Sequence, residues 1–151
     1  MEGVRLLEHY KPGVYEKSEI DFREIFREIL SKNFNGGLGA VAIFLGKVKG
    51  VGRDGKSVSY LEIESYKQHA DKTLHKICDE VKVKYGLSFA GIWHLIGRFE
   101  IGEPLVFVIA SGRSRSQVFR ALEELVERYK REPAIFKKEV YVDGSYTWIE
   151  E

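Results

Sequence analysis

One cysteine, one methionine and no excess of either charge mark this chain of 151 residues, and each scarcity excludes something. The lone Cys78 rules out an intramolecular disulfide and a zinc site built from several thiolates. A reducing cytosol is the default compartment for such a chain, so a cytoplasmic protein is expected. Lys and Arg number 24 against 23 Asp and Glu, a formal net charge of +1. A dedicated nonspecific nucleic-acid binder shows a strongly basic domain or face, so no nucleic-acid partner is expected. No run approaches the roughly 18 apolar residues of a transmembrane helix, so no membrane partner is expected. The segment Met1 to Tyr10 carries Glu2, Arg5 and Glu8 and lacks the apolar stretch of a signal peptide. Repeats of residue identity, low-complexity tracts and linkers are also missing. What remains is 44% hydrophobic and 31% charged, the balance of a globular chain, and a single domain over 1–151 is expected.

The periodicities give an element order. Over 18–31, Phe22, Ile25, Phe26, Ile29 and Leu30 share one helical face, with Ser18 as expected N-cap and Asp21 as its acidic capping-box partner. Residues 33–39, Asn-Phe-Asn-Gly-Gly-Leu-Gly, form a loop by composition. Ala40 to Val48 suits a strand. Val58 to Tyr66 alternates, with Val58, Tyr60, Glu62 and Glu64 on one face and Leu61, Ile63 and Ser65 on the other. Ala70, Leu74, Ile77, Cys78 and Val81 predict a helix within 67–84, followed by strands at 89–99 and 105–110 joined through Gly102-Glu103-Pro104. Val118, Leu122, Leu125 and Tyr129 predict a third helix over 115–130. Residues 138–142 and 145–149 form a hairpin, Asp143-Gly144 being a type I′ turn signal. The expected fold is α+β, with three main helices on mixed, largely antiparallel sheets.

Several motifs bear on chemistry. Gly50-Val51-Gly52-Arg53-Asp54-Gly55 matches G-x-G-x-x-G, but a strand follows at Val58 where a dinucleotide site needs a helix. The segment reads instead as a flexible loop, made attractive to anions by Lys47, Lys49, Arg53 and Lys56. His75 and Cys78 lie three apart on a helix, yet His9, His69 and His94 show no ligand spacing, and a core cysteine is expected rather than a metal site. Ser111-Gly112-Arg113-Ser114-Arg115-Ser116 lacks the serine-hydrolase elbow. It sits where a strand gives way to a helix. Helix amides with Arg113 and Arg115 would suit a phosphate, while an ordinary serine N-cap with two solvated arginines accounts for the same residues. Lys130 closes a helix and Lys137 opens a strand. Brought together beside Ile135 and Phe136, two ammonium groups disfavour each other's charge and ease proton transfer. A lysine completing the helix C-terminus and another snorkelling at a sheet edge fit the spacing too.

An ordered series of segments resembles the large, catalytic subunit family of molybdopterin synthase. It comprises Gly39-Ala40-Val41, Phe44-Leu45-Gly46-Lys47-Val48, Leu61-Glu62-Ile63-Glu64-Ser65-Tyr66, His94-Leu95-Ile96-Gly97-Arg98 and Gly102-Glu103-Pro104-Leu105-Val106. It ends with Pro133-Ala134-Ile135-Phe136-Lys137-Lys138-Glu139 and Gly144-Ser145-Tyr146-Thr147-Trp148, the most specific part. The resemblance implies an α/β hammerhead fold and a homodimer. Each chain would bind one small ubiquitin-like sulfur-carrier subunit ending in Gly-Gly, giving a heterotetramer. The carrier's C-terminal thiocarboxylate would give its sulfur to cyclic pyranopterin monophosphate, forming the molybdopterin dithiolene in molybdenum cofactor biosynthesis, with no cofactor consumed and no metal held by this subunit.

By position, Lys130 and Lys137 match the family's two active-site lysines. Lys130 is implied to meet the carrier's C-terminal carbonyl and help proton transfer, and Lys137 to hold substrate or stabilise developing negative charge. Arg115 matches a substrate-binding arginine. Lys49 stands where the family commonly has arginine, keeping the charge without the bidentate fork. The family's usual His-Arg at the helix start is Ser114-Arg115 here, with Arg113 as a replacement cation, and its His-Arg in the third strand is His94-Leu95. These departures also fit a noncatalytic or specialised homologue that binds the carrier or a phosphorylated ligand.

Overall fold

The computed structural model describes residues 10–31, 38–52 and 54–149. The expectations for His9, the Met1 to Tyr10 segment up to that residue, most of the 33–39 loop, and Arg53 fall outside that range.

Among the described residues, seven strands and three helices follow the order β1 (Gly13–Glu16), α1 (Phe22–Leu30), β2 (Ala40–Lys47), β3 (Val58–Ser65), α2 (Lys67–Tyr85), β4 (Phe89–Glu100), β5 (Pro104–Gly112), α3 (Arg115–Arg131), β6 (Ile135–Tyr141) and β7 (Tyr146–Ile149). The α+β reading with three helices is borne out. The sheet runs β2-β5-β4-β3-β6-β7, and all of these pairings are antiparallel. Strand β1 adds a short parallel pairing to β4, so the sheet is mixed. That four-residue strand is too short to leave a readable alternation and was not expected from the sequence.

Strand β4 belongs to both halves of the sheet. Residues 89–94 pair with β5, and residues 97–100 pair with β3. Gly97 stands at the handover with φ 115°, a backbone conformation that side chains rarely adopt. The cross-strand pairs Ile92–Val108 and His94–Val106 lie on the face under α3, where Tyr129 meets His94. The opposite face carries Trp93 against Phe107, which α1 covers through Phe22, 5.4 Å from the Phe107 ring. Trp93 is fully buried and donates its indole N–H to the Tyr10 carbonyl at 2.8 Å. Each large apolar side chain so buried contributes about 1.5–3 kcal/mol.

Local differences from the sequence reading have physical causes. Helix α1 starts at Phe22 rather than near Ser18, because Asp21 is the cap: its carboxylate accepts from the Arg23 amide at 2.9 Å. Ser18 falls instead in a turn, closed by Glu19 N–H donating to the Glu16 carbonyl. In β3 the register slips between Val58 and Tyr60, and this bulge turns Val58 inward to the face of Leu61 and Ile63. On α3, Ala121 is buried and Leu122 only half-buried.

The β6–β7 connection is a three-residue loop rather than a two-residue type I′ turn. Gly144 N–H donates to Tyr141 O, Tyr141 N–H donates to Ser145 O, and Gly144 takes φ 87°. Asp143 accepts from the Ser145 amide at 2.8 Å and so holds the loop.

Candidate active-site cleft

Two lysines on different elements meet because α3 ends where β6 begins. A turn of three residues, Glu132 to Ala134, reverses the chain after α3, and Lys130 and Lys137 come to line one cleft of about 310 Å³. Lys47 and Lys49, from the end of β2, line it as well. Among the described lining residues, Glu139 is the one carboxylate. Four lysines against one glutamate leave the lining with a formal charge of +3. The walls are apolar: Phe44, Leu61, Leu105 and Tyr129. The cleft is therefore electropositive between low-dielectric walls, a form that concentrates anions.

The side chains are graded in exposure. Lys47, Lys49 and Lys130 are exposed at the rim, while Lys137 is half-buried and Glu139 buried. Lys137 places its ammonium 5.8 Å from the centre of the Tyr129 ring. Glu139 accepts a hydrogen bond from the Tyr141 hydroxyl at 3.0 Å. The end of α3 is tied down beside them by Arg128, which reaches Glu80 on α2 at 3.0 Å and Glu132 at 2.6 Å. Its guanidinium holds the Glu132 carboxyl below the usual carboxylate range.

Behind Tyr129, and not itself lining the cleft, lies His94, fully buried on β4. Its ring lies 5.7 Å from that of Tyr129, edge to face. Burial first, and then the Lys137 ammonium, push the imidazole down to about 3, so the ring is neutral at ordinary pH.

Lys49, Lys130 and Lys137 thus come together as candidate site residues, and Arg113, Ser114 and Arg115 do not join them. Those three are exposed at the opposite end of α3. Fifteen residues of helix separate Arg115 from Lys130, about 22 Å at the α-helical rise. Ser114 is the N-cap, and the Gln117 carboxamide oxygen accepts from the amides of Arg113 at 2.9 Å and Ser114 at 3.3 Å. Two amides that would have faced an anion are therefore occupied by the chain itself.

Phe136 does not wall the cleft. On a strand its side chain points opposite to that of Lys137, and it packs edge-on against Tyr66 at 5.9 Å, still 45% exposed. Sequence reasoning also passed over Glu139, although Lys137 and Glu139 stand two apart on a strand and so share a face. His94 entered only as the histidine of the family's third-strand pair, and its place under Tyr129 depends on how α3 crosses the sheet.

The described residues of the glycine-rich segment 50–55 form no helix. It forms a hairpin arm, with Val51 bridged to Ser57 and Gly52 N–H donating to Lys56 O at 2.9 Å. Cys78 is buried in the core as expected, and burial pushes its thiol up to about 12. Among the described residues, no group of three or more His, Cys, Asp or Glu side chains is placed to hold a metal ion. A larger cavity of about 600 Å³ lies between α1 and the β4–β5 turn, where Lys17 is paired with Glu103 at 2.7 Å. No helix among the described residues is long and apolar enough to cross a membrane.

The MoaE protein family matches residues 15–132, a span holding Lys49, Arg113, Ser114, Arg115 and Lys130. The chain belongs to the MoaE family. Among curated relatives, the molybdopterin synthase catalytic subunit of Pyrococcus abyssi is 35% identical over 112 residues, 74% of each chain. That of Staphylococcus aureus is 35% identical over 122 residues, 81% of this chain and 80% of the other. The solved molybdopterin synthase structure from Staphylococcus aureus superposes with a TM-score of 0.81 at 31% identity, covering 94% of this chain and 98% of that one. A complex of subunits 1 and 2 of the molybdopterin-converting factor from Helicobacter pylori has a TM-score of 0.72 at 18% identity, covering 92% and 90%. That likeness speaks for the MoaE fold alone.

Proposed function

We propose that this chain is the catalytic subunit of a cytoplasmic molybdopterin synthase. It moves sulfur from the C-terminal thiocarboxylate of a small carrier subunit to cyclic pyranopterin monophosphate. The observation that carries this reading is the convergence of Lys49, Lys130 and Lys137 in one electropositive cleft of a MoaE-family chain. Both the thiocarboxylate and the cyclic phosphate are anions, and the lining charge favours each. The apolar walls suit an extended Gly-Gly tail, which has no side chains to clash with Phe44 or Tyr129. Lys130, at the rim, meets the carrier's terminal carbonyl. Once the thiocarboxylate sulfur has bonded to the precursor, water adds to the acyl carbon, the carbon–sulfur bond breaks, the carrier leaves as a carboxylate, and Lys130 passes the proton. Lys137, set further in, stabilises the negative charge that develops during transfer. No cofactor is required of this subunit.

The arginines require a second chain. A substrate held at Lys130 and Lys137 cannot also reach Arg115, about 22 Å from Lys130 along α3. In a two-fold homodimer, Arg113, Ser114 and Arg115 of one copy complete the cleft of the other, and each cleft takes one carrier. The full assembly is then a heterotetramer.

The test is reconstitution with a thiocarboxylated carrier and the pterin precursor, read as molybdopterin formed. Product formation dependent on both additions is the expected outcome. Precursor binding without product would establish the noncatalytic, ligand-binding homologue instead, a reading favoured by Ser114 and Lys49 standing where the family commonly has histidine and arginine.

A further inference from the structure

His94 carries a chemical feature that the cleft chemistry leaves unused. Its Nδ1 lies 2.8 Å from the Leu95 carbonyl oxygen. A carbonyl can only accept, so Nδ1 bears the proton and Nε2 presents a bare lone pair. That Nε2 is buried with no hydrogen-bond partner. An apolar side chain of similar size would fill the same space without leaving a desolvated acceptor. The His94 ring lies 5.7 Å from the Tyr129 ring, and the Lys137 ammonium lies 5.8 Å from the centre of that same ring, so the three groups form one cluster. Lys137 is also the one charged group whose field reaches His94 strongly enough to shift its titration.

We propose that His94 is a positioning residue for Lys137, its Nε2 accepting a hydrogen bond from one buried water that in turn accepts from the Lys137 ammonium. The imidazole stays neutral, so it cannot take the proton it orients. It fixes one N–H direction of the ammonium and leaves the others for the cleft. The remaining groups facing Lys137 are Lys47 and Lys49 from the β2 end, Lys130 and Tyr129 from α3, and Glu139 from its own strand. None of these changes in the variants below.

The proposal deepens the role given to Lys137 above, but its test reads the lysine directly and not turnover, so the two can fail separately. The measurement is the pH dependence of Lys137 acylation by a small amine-reactive ester, followed by mass spectrometry with fragmentation to separate Lys137 from Lys138. An acceptor for the ammonium favours its charged form. In His94→Phe, which removes the acceptor, the acylation midpoint is expected to fall by about one unit. In His94→Gln, which places an acceptor near the Nε2 position, it should stay at the wild-type value. An unchanged midpoint in His94→Phe overturns the proposal. So does an equal fall in both variants, which would mark a packing effect. Should His94→Phe fail to fold, nitrogen-15 spectra of the wild-type imidazole decide. The proposal requires the Nδ1–H tautomer with a hydrogen-bonded Nε2, and an Nε2–H tautomer or a Nε2 free of hydrogen bonding sinks it.

Discussion

The two ends of α3 use similar residues to opposite effect. At its C-terminal end, Lys130 joins Lys137, Lys47, Lys49 and Glu139 around a cleft with apolar walls and a buried histidine beneath. At its N-terminal end, Arg113, Ser114 and Arg115 stand exposed, their nearest amides already taken by Gln117. Cationic side chains are common to both. The difference lies in what surrounds them: a concave, low-dielectric setting strengthens charge effects at one end, and water weakens them at the other. One end is a cleft in itself, and the other is an open surface that, in the proposed homodimer, joins the cleft of the second copy.

The comparison can be broken most forcefully at Lys130. Lys130→Ala should lower turnover by roughly two orders of magnitude or more, the range for loss of a proton-transfer group, with the melting temperature unchanged. Unaltered turnover would remove Lys130 from the chemistry and with it the distinction between the ends. Arg115→Ala should act on binding, raising KM about tenfold while kcat stays within about threefold. A collapse of kcat would put the arginine among the reacting groups.

A third expectation concerns stability. Folded, His94 remains neutral down to about pH 3, whereas its ordinary value is 6.5. Between those limits the unfolded chain holds the extra proton, so stability falls as pH falls, by about 1.4 kcal/mol per unit. Denaturant titrations of wild type against His94→Gln should converge toward acid pH and differ by a constant amount above pH 6.5. A gap independent of pH across the whole range would contradict the buried, neutral ring. The smallest effect is expected for Lys49→Arg, which restores a bidentate fork at the rim. It should tighten substrate binding by about twofold to threefold, as measured by KM.

Much of this was legible in the residues. The stripe Ala70, Leu74, Ile77, Cys78 and Val81 is buried in full, because a long amphipathic helix has one face to hide. Lys130 and Lys137 could be brought together on paper, since a short turn between a helix and a strand leaves few ways to part them. Phe136 was harder. Its neighbours in sequence suggested a wall, but strand alternation sends it to the other face, and a reading by adjacency misses that. Short-range competition decided the start of α1, where Asp21 outbids Ser18 by reaching a helix amide. His94 and Glu139 gain their surroundings from long-range packing, which a single sequence does not spell out. The α3 N-terminus illustrates the converse: Arg113 and Arg115 were visible at once, and their distance from the lysines was not.

That distance has a genetic corollary. A chain lacking Lys130 still offers a sound arginine end, and a chain lacking Arg115 still offers a sound lysine end. In the proposed homodimer, neither mutant alone assembles a centre with both ends intact. Co-expressed, the two would form hybrids in which one of the two centres receives both intact halves, so a pair of impaired alleles should complement each other within one gene product, and most clearly at low substrate.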